Sequence, residues 1–239
     1  MLSFSEQTVL LTGAAGGIGM QTARILASLG ARLALCDQTG CEPLAQELRL
    51  SGAVVSTASF DIRDRLAAEA FVNEQPSLDA IVASAGYCPW DDWNDDDWDT
   101  VFDQVVDINL LGVINIMRPA LKRMTAQGYG RAVLVASVAG RMGGLKASPH
   151  YVAAKGGVIA MTKWMAAKAS PYGVNVNSVA PGATDTSMVA GSSIDVSTIP
   201  IRRLAGPEEI AKPIVFLCSD AASYMCGATL DVNGGVYMA

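Results

Sequence analysis

The first 37 residues constrain the fold more than any other part of the chain. Thr8–Thr12 is a short apolar run rich in β-formers, and a glycine-rich turn follows it from Gly13 to Gly19. A helical pattern runs over residues 21–29, and residues 32–36 form a second strand pattern that ends at Asp37. This order of strand, glycine turn, helix, strand and acid is the context of a dinucleotide-binding motif. It predicts a parallel α/β fold.

The glycines of the turn explain why this motif binds a dinucleotide. Gly13, Gly17 and Gly19 permit a tight turn and a close backbone approach, so that a pyrophosphate can lie at the helix N-terminus. A glycine triplet alone would equally form an ordinary loop. The flanking strands and Asp37 favour the cofactor site.

Asp37 indicates which dinucleotide is bound. It comes 18 residues after Gly19, at the tip of the second strand, where a carboxylate can accept hydrogen bonds from a ribose diol. A 2′-phosphate would be repelled there, and its binders usually offer Arg or Lys. Gly16, Gln38 and Thr39 are not basic. We therefore expect NAD rather than NADP.

The whole chain alternates between strand and helix patterns. Such alternation predicts a doubly wound Rossmann fold, with a parallel sheet of about seven strands and helices on both faces. At 239 residues and 51% hydrophobic, without a linker or repeat, residues 1–239 are expected to form a single domain. The strand patterns lie near residues 8–12, 31–37, 53–59, 78–84, 131–137, 172–179 and 229–232.

Tyr151 and Lys155 carry a second signal. Four residues apart on a helix, the phenol and the ammonium lie on one face. A free tyrosine is a poor base at neutral pH, and a nearby cation lowers its pKa towards the working range. The spacing also occurs by chance in solvated helices, so its weight comes from its combination with the N-terminal motif.

Together these motifs resemble the short-chain dehydrogenase/reductase family, and the resemblance covers nearly the whole chain. Thr12–Gly19 is similar to its TGxxxGxG cofactor motif, and Tyr151 with Lys155 to its YxxxK motif. One departure is Ser84, where the family usually has Asn. Further segments similar to family landmarks are residues 107–112, 135–140, 177–182, 203–210 and 227–235.

The resemblance implies a catalytic tetrad of Asn109, Ser137, Tyr151 and Lys155. Tyr151 would exchange a proton with the substrate hydroxyl, Ser137 would hydrogen-bond the reacting oxygen, and Lys155 would lower the tyrosine pKa and bind the nicotinamide ribose. Asn109 would hold a water of a proton relay. The resemblance also implies a set of cofactor contacts, which comprises Gly13, Gly17, Ile18, Gly19, Asp37, Asp61, Ile62, Ala85, Gly86, Tyr151, Lys155, Pro181, Gly182, Thr184 and Thr186.

The expected reaction is hydride transfer between NAD and a small to medium secondary alcohol or diol, or the matching ketone. Two alternatives remain: a reductase of carrier-bound 3-oxoacyl thioesters, and a non-catalytic NAD-binding scaffold. Residues 186–202 are expected to form a substrate lid. Residues expected around the substrate are Tyr87, Trp90, Ala139, Arg141, Met142, His150, Ala183 and Met188.

His150 and the loop that contains Trp90 and Trp93 leave two readings open. His150 neighbours Tyr151, but adjacent helix positions face different directions, so a structural or supporting role is favoured over a proton shuttle. The acidic run 91–97 reads as a solvated loop, with Trp90 or Trp93 as an alternative roof over an apolar substrate.

Composition argues against several other partners and sites. The net charge of −6 disfavours nucleic acid and anionic membranes. No apolar run reaches the roughly 18 residues of a membrane span, and the N-terminus lacks the features of a signal peptide. One histidine and five unclustered cysteines argue against a metal site and for a reducing, cytoplasmic location. A homotetramer is expected from the resemblance, and the apolar stripe on the Tyr151 helix fits subunit contacts and ordinary packing equally.

Overall fold

The computed structural model describes residues 2–144, 146–190, 192 and 194–239. The strands in this part of the chain form one sheet with the order β3-β2-β1-β4-β5-β6-β7, and every neighbouring pair is parallel. This confirms the predicted doubly wound fold. The strands are β1 (Thr8–Thr12), β2 (Arg32–Cys36), β3 (Val55–Ala58), β4 (Ala80–Ala83), β5 (Gly130–Val135), β6 (Val174–Pro181) and β7 (Thr229–Val232).

Helices connect the strands. The first begins at Gly17, four residues before the predicted start, because the glycine turn itself leads directly into the first helical turn. A π-helix, Asp107–Leu111, joins the fourth and fifth helices. The α-helices are α1 (Gly17–Ser28), α2 (Glu42–Leu50), α3 (Arg65–Asn73), α4 (Trp98–Val106), α5 (Gly112–Gln127), α6 (Ala139–Met142), α7 (Pro149–Ala169) and α8 (Pro207–Cys218).

The core has two layers because side chains alternate across each strand. On β1, Leu10 points to the face covered by α3, α5 and α7, whereas Val9 and Leu11 point to the face covered by α1, α2 and α8. Val158 and Ile159 of α7 are buried in the first of these layers. That part of the apolar stripe on α7 therefore packs against the sheet.

The strand order places the functional segments at one edge. It reverses between β1 and β4, and ligands of open α/β sheets bind outside the carboxyl ends of the strands at such a switch point. The glycine turn follows β1, Ser84 follows β4, and Ser137 lies just beyond β5. The motifs found in the sequence are thus brought to a single edge.

Among the residues that the structure describes, one helical stretch, Trp98–Gln127, is long and apolar enough to cross a membrane, with a mean hydropathy of 1.3. A helix packed in a protein core passes the same test. This stretch comprises α4, the π-helix and α5, and it packs against α3 and α7.

Candidate active site

A cavity of about 480 Å³ lies at the carboxyl edge of the sheet. All fifteen residues expected to contact the cofactor line it. Ser137 of the expected tetrad lines it too, while Asn109 is buried behind its wall.

The glycine turn fits tightly under the first helix. Gly13 has a φ of +68°, which favours glycine, and a Cβ on Gly19 would lie 2.1 Å from the Gly13 carbonyl oxygen. Gly16 occupies the N-cap of α1 and has no side chain to cap the helix. The first N–H groups of α1 therefore face the cavity without a capping side chain, which suits a phosphate ligand.

The two acids at the far end of the cavity have different partners. Asp37 accepts hydrogen bonds from the backbone N–H of Ala15 at 3.1 Å and of Thr39 at 3.0 Å. Asp61 is paired with Arg63, with 2.6 Å between Oδ2 and Nη2, and this pairing lowers the pKa of Asp61. Asp37 thus carries a negative charge at the cavity wall and also braces the glycine turn.

Thr12 secures the segment after β4, where the chain departs from the family pattern. Its hydroxyl accepts hydrogen bonds from the backbone N–H of Ser84 at 3.1 Å and of Ala85 at 3.2 Å. The loop between β4 and α4 is therefore tied to β1 at its first residues through main-chain N–H groups, whatever the side chain at position 84.

Asn109 lies in the π-helix and is fully buried. Its Nδ2 donates to the carbonyl oxygens of Tyr87 at 2.7 Å and Val105 at 3.0 Å, and its Oδ1 accepts from the Tyr87 N–H at 3.2 Å. Because a π-turn widens the helix, it places this side chain against the loop after β4.

Ser137, Tyr151 and Lys155 converge at the base of the cavity. The Ser137 side chain is hydrogen-bonded to Tyr151 and accepts the Ala139 N–H at 3.1 Å. Lys155 is 3% exposed, and its ammonium donates to the Val135 carbonyl at 3.1 Å and lies 5.7 Å from the centre of the Tyr151 ring. A serine, a phenol and an amine thus lie together, with Tyr151 and Lys155 buried and Ser137 partly exposed.

Burial dominates the ionisation of this pair. It raises the pKa of Tyr151 above its ordinary value, with Cys88 adding to the rise and the Ser137 hydrogen bond opposing it. Burial also lowers the pKa of Lys155 from 10.5 to about 8. The position of Lys155 alone therefore does not supply the lowered tyrosine pKa that the sequence predicts.

The short helix α6 holds α7 close. A Cβ on Gly140 would lie 2.6 Å from the Gly156 nitrogen and from the Lys155 carbonyl carbon. The backbones of α6 and α7 are so close here that position 140 has room for a hydrogen atom but not for a Cβ. The main chain of Lys155 is thus fixed by this crossing.

Six of the expected substrate residues line the cavity: Tyr87, Trp90, Ala139, Met142, Ala183 and Met188. Trp90 Nε1 donates to the Met188 carbonyl at 2.8 Å, so the loop after β4 touches the segment expected to form the lid.

Arg141 and His150 are corrections to the expected substrate set, because neither belongs to the cavity lining. The Arg141 guanidinium is bonded to Asp231 on β7, with Nε 3.1 Å from Oδ1. The His150 ring is buried against Trp98 and Phe102, with ring centres 5.3 and 6.2 Å away. A position next to a cavity residue in sequence does not decide which way a side chain turns.

Two chemically relevant residues of the cavity wall, Cys88 and Lys146, were not predicted from the sequence. Cys88 lines the cavity beside Tyr87, and burial raises its pKa to about 11. Lys146, in the loop before α7, lines the cavity near Asp195, and its charge contributes to the lowered pKa of that acid. Their positions in the sequence could have indicated a place in the cavity wall, because Cys88 lies in the loop after β4 and Lys146 in the loop before α7.

Comparison with known proteins decides the family. A family model described as enoyl-(acyl carrier protein) reductase matches residues 13–237. A cis-4-hydroxycyclohexanecarboxylate dehydrogenase from Sinomonas cyclohexanicum is 39% identical, over 98% of this chain and 97% of that protein. The chain belongs to the short-chain dehydrogenase/reductase family. It is an oxidoreductase that acts on CH–OH groups of small molecules.

Other short-chain dehydrogenases and reductases with near full-length matches differ in substrate and cofactor. An L-rhamnose 1-dehydrogenase (NAD(P)(+)) from Azotobacter vinelandii is 34% identical, over 98% of this chain and 97% of that protein. The crystal structure of a 3-oxoacyl-[acyl-carrier protein] reductase with bound NAD from Brucella melitensis superposes with a TM-score of 0.90 at 32% identity, covering 99% of this chain and 93% of that one. These two relatives are thus described with NAD(P) and with NAD respectively.

Proposed function

We propose that this protein is an NAD(H)-dependent dehydrogenase of secondary alcohols or diols, which also reduces the matching ketones. The observation that carries the proposal is the convergence of Ser137, Tyr151 and Lys155 at the base of a cavity whose other end presents Asp37. One end can hold a dinucleotide, and the other can exchange a proton with an alcohol.

The cavity residues fit NAD. The uncapped N-terminus of α1 would bind the pyrophosphate, and Asp37 would accept the ribose hydroxyls. Thr186, whose side chain lies beside Gly17, would bind the carboxamide end together with Thr184. When bound, NAD supplies the acceptor for the hydride that leaves the alcohol carbon.

Each residue of the tetrad then has a defined task. Tyr151 as phenolate accepts the proton of the substrate hydroxyl, and in the reverse direction it donates that proton to the ketone oxygen. Ser137 donates a hydrogen bond to the same oxygen. Lys155 and the positive charge of the oxidised cofactor together favour the phenolate against the burial that opposes it. Asn109, by family resemblance, holds a water that links Lys155 to solvent.

The substrate is proposed to lie under a lid formed by about residues 186–202, of which 191 and 193 lie outside the described residues. The wall there is mostly apolar and includes Trp90, Met142 and Met188. Lys146 is a cation at this end. Together with the cyclohexanecarboxylate relative, it places cyclic hydroxy acids among the substrates to test beside neutral cyclic alcohols and diols.

A second candidate is reduction of carrier-bound 3-oxoacyl thioesters. It is favoured by the superposition on the Brucella melitensis reductase, whose structure contains NAD. The net charge of −6 opposes docking of an acidic carrier protein. Alcohol oxidation therefore remains the first choice.

The test is NADH formation with purified protein against secondary alcohols, polyols, cyclic diols and cyclic hydroxy acids, with NADP and acetoacetyl thioesters in parallel. Turnover with NAD and an alcohol is expected, and Tyr151→Phe should lower kcat by about a hundredfold or more while NADH still binds. Faster turnover of the thioester with NADPH would move the second candidate ahead. Tight NADH binding without any turnover would indicate a scaffold.

A further inference from the structure

A largely buried polar cluster lies outside the cavity and joins the loop after β4 to the N-terminus of α7. Its members are Asp91, Ser148 and His150. The Ser148 hydroxyl donates to Asp91, with its Oγ 2.6 Å from Asp91 Oδ1 and 2.8 Å from the Asp91 carbonyl oxygen. His150 Nε2 lies 3.1 Å from Asp91 Oδ2.

This cluster replaces the usual cap of α7. Ser148 is the N-cap residue, but its hydroxyl turns to Asp91. His150 Nδ1 instead accepts the backbone N–H of Tyr151 at 2.9 Å, within the first turn. Asp91 adds a negative charge beside the N-terminus of a 21-residue helix, where such a charge is stabilised. The loop is thus tied to the N-terminus of the helix that carries Tyr151.

The ring of His150 has a fixed orientation. Because Nδ1 accepts a hydrogen bond, the proton of the neutral ring is on Nε2, on the side of Asp91. The 3.1 Å approach to Asp91 is not aligned as a hydrogen bond, and among the described residues neither Nε2 nor Asp91 Oδ2 has another partner. The contact is therefore held as an electrostatic one between two buried groups.

Leaving such atoms without aligned partners costs stability, so the arrangement calls for an explanation beyond packing. His150 does not line the cavity, and the rings of Trp98 and Phe102 on α4 enclose it. It is thus unable to touch a substrate, but its backbone is adjacent to that of Tyr151.

We propose that Asp91 and His150 form a positioning pair that sets the Tyr151 hydroxyl relative to the loop after β4. That loop supplies Gly86, Tyr87 and Trp90 to the cavity wall. A shift of the first turn of α7 against this loop would displace Tyr151 from both cofactor and substrate. The inference rests on the proposed role of Tyr151 as acid and base.

Two variants break the pair in different ways. Asp91→Asn removes the charge and keeps the shape, whereas His150→Asn keeps an acceptor for the Tyr151 N–H and removes the reach to Asp91. Asp96→Asn is the matched control, because Asp96 is an exposed acid of the same loop. The double variant Asp91→Asn/His150→Asn tests whether the two residues act as one unit.

We expect each single variant, and the double variant to the same extent, to lower kcat by about tenfold with the best alcohol while the NADH dissociation constant stays unchanged. The deuterium isotope effect on kcat should increase with the alcohol deuterated at the reacting carbon, because a misplaced Tyr151 slows the chemical step relative to product release. Asp96→Asn should match the wild type. Loss of melting temperature without a larger isotope effect, or additive losses in the double variant, would overturn the positioning role.

A second readout does not need activity. In amide hydrogen exchange, Asp91→Asn should lose protection in the loop 86–97 and in the first turn of α7 together, with α8 unchanged. Loss in one of the two segments alone, or in neither, would contradict the pair. If the wild type fails to turn over any substrate, the proposed function fails, but this exchange experiment still tests the coupling. If Asp91→Asn does not fold, His150→Asn gives the same exchange test.

Discussion

Tyr151 and Lys155 are both buried, and their burial has opposite consequences for their pKa values. It raises that of Tyr151 and lowers that of Lys155 to about 8. Both shifts favour the uncharged form. Near neutral pH the ammonium of Lys155 is therefore held at an electrostatic cost, whereas Tyr151 is uncharged there.

This cost predicts a pH-dependent stability difference. The Lys155 pKa is below its ordinary 10.5, so between about pH 8 and 10.5 the unfolded chain binds a proton that the folded chain does not. Below about pH 8 both states bind it and the full penalty applies. Lys155→Met should therefore raise the free energy of unfolding by on the order of a few kcal/mol near neutral pH, and by progressively less towards pH 10.5. Urea unfolding at several pH values measures this, and a gain independent of pH would contradict it.

Asp37 is expected to select the cofactor. Asp37→Ala should raise the ratio of NADP to NAD use, measured as kcat/KM, by about tenfold or more, because it removes a like charge from the 2′-phosphate. It should also weaken NAD, since Asp37 braces Ala15 and Thr39. Glu42→Gln, which changes an exposed acid on α2, is the control. An unchanged ratio in Asp37→Ala would remove Asp37 as the selector.

At the scale of residues, the sequence predicts which residue types form the site better than it predicts where each side chain points. The residues expected around Tyr151 follow from a recurring motif, and their catalytic roles stay a prediction. Arg141 and His150 were not placed correctly, because Asp231 and the rings of α4 that hold them are distant in sequence. Only the packed structure shows these partners.

Two elements, α6 and α7, meet at Gly140, and their contact gives a sharp stability test. Gly140→Ala should destabilise the protein by about 1–3 kcal/mol, since its Cβ would enter the backbone of Lys155 and Gly156. Gly156→Ala is the matched change on the other helix. Its Cβ would lie 3.7 Å from the Gly140 carbonyl oxygen, so a gain of up to about 1 kcal/mol is expected from helix propensity. Thermal or urea unfolding of both variants checks the contrast, and equal effects would contradict it.

The loop after β4 and the proposed lid meet through Trp90. Trp90→Phe keeps an aromatic ring but loses the hydrogen bond to the Met188 carbonyl. We expect KM for the alcohol to rise about two- to tenfold, the equivalent of one hydrogen bond, with NADH affinity unchanged. Trp93→Phe, at a side chain that is 65% exposed in the same loop, should change neither. A rise in KM for Trp93→Phe, or none for Trp90→Phe, would rule out this contact as part of the substrate roof.

For the whole molecule, the sheet and its helices were predictable because alternation and glycine punctuation recur through the chain. The start of α1 and the π-helix were harder to predict from the sequence. The first begins within the glycines themselves, and the second depends on how Asn109 packs against Tyr87. Local secondary-structure propensity does not reveal such tertiary contacts.

The homotetramer expected from the family stays a prediction. On the outer face of α5 and α7, Ile114 lies at the surface and Trp164 is 63% exposed. Trp164→Glu should shift a tetramer towards smaller species in sedimentation velocity, because it places a charge in an apolar contact. Leu50→Glu changes a side chain that is 91% exposed on α2 and should leave the assembly intact. A monomeric wild type would contradict the expectation.

The π-helix at residues 107–111 has a consequence for how such a gene tolerates change. A regular α-helix advances 100° per residue, so loss of a single codon in this stretch would restore an ordinary helix and swing Asn109 away from Tyr87. The shortened helix would have the regular hydrogen-bond pattern of an α-helix throughout. A protein encoded without this codon would keep its fold, but the helical stretch Trp98–Gln127 would lose its contact with the loop after β4.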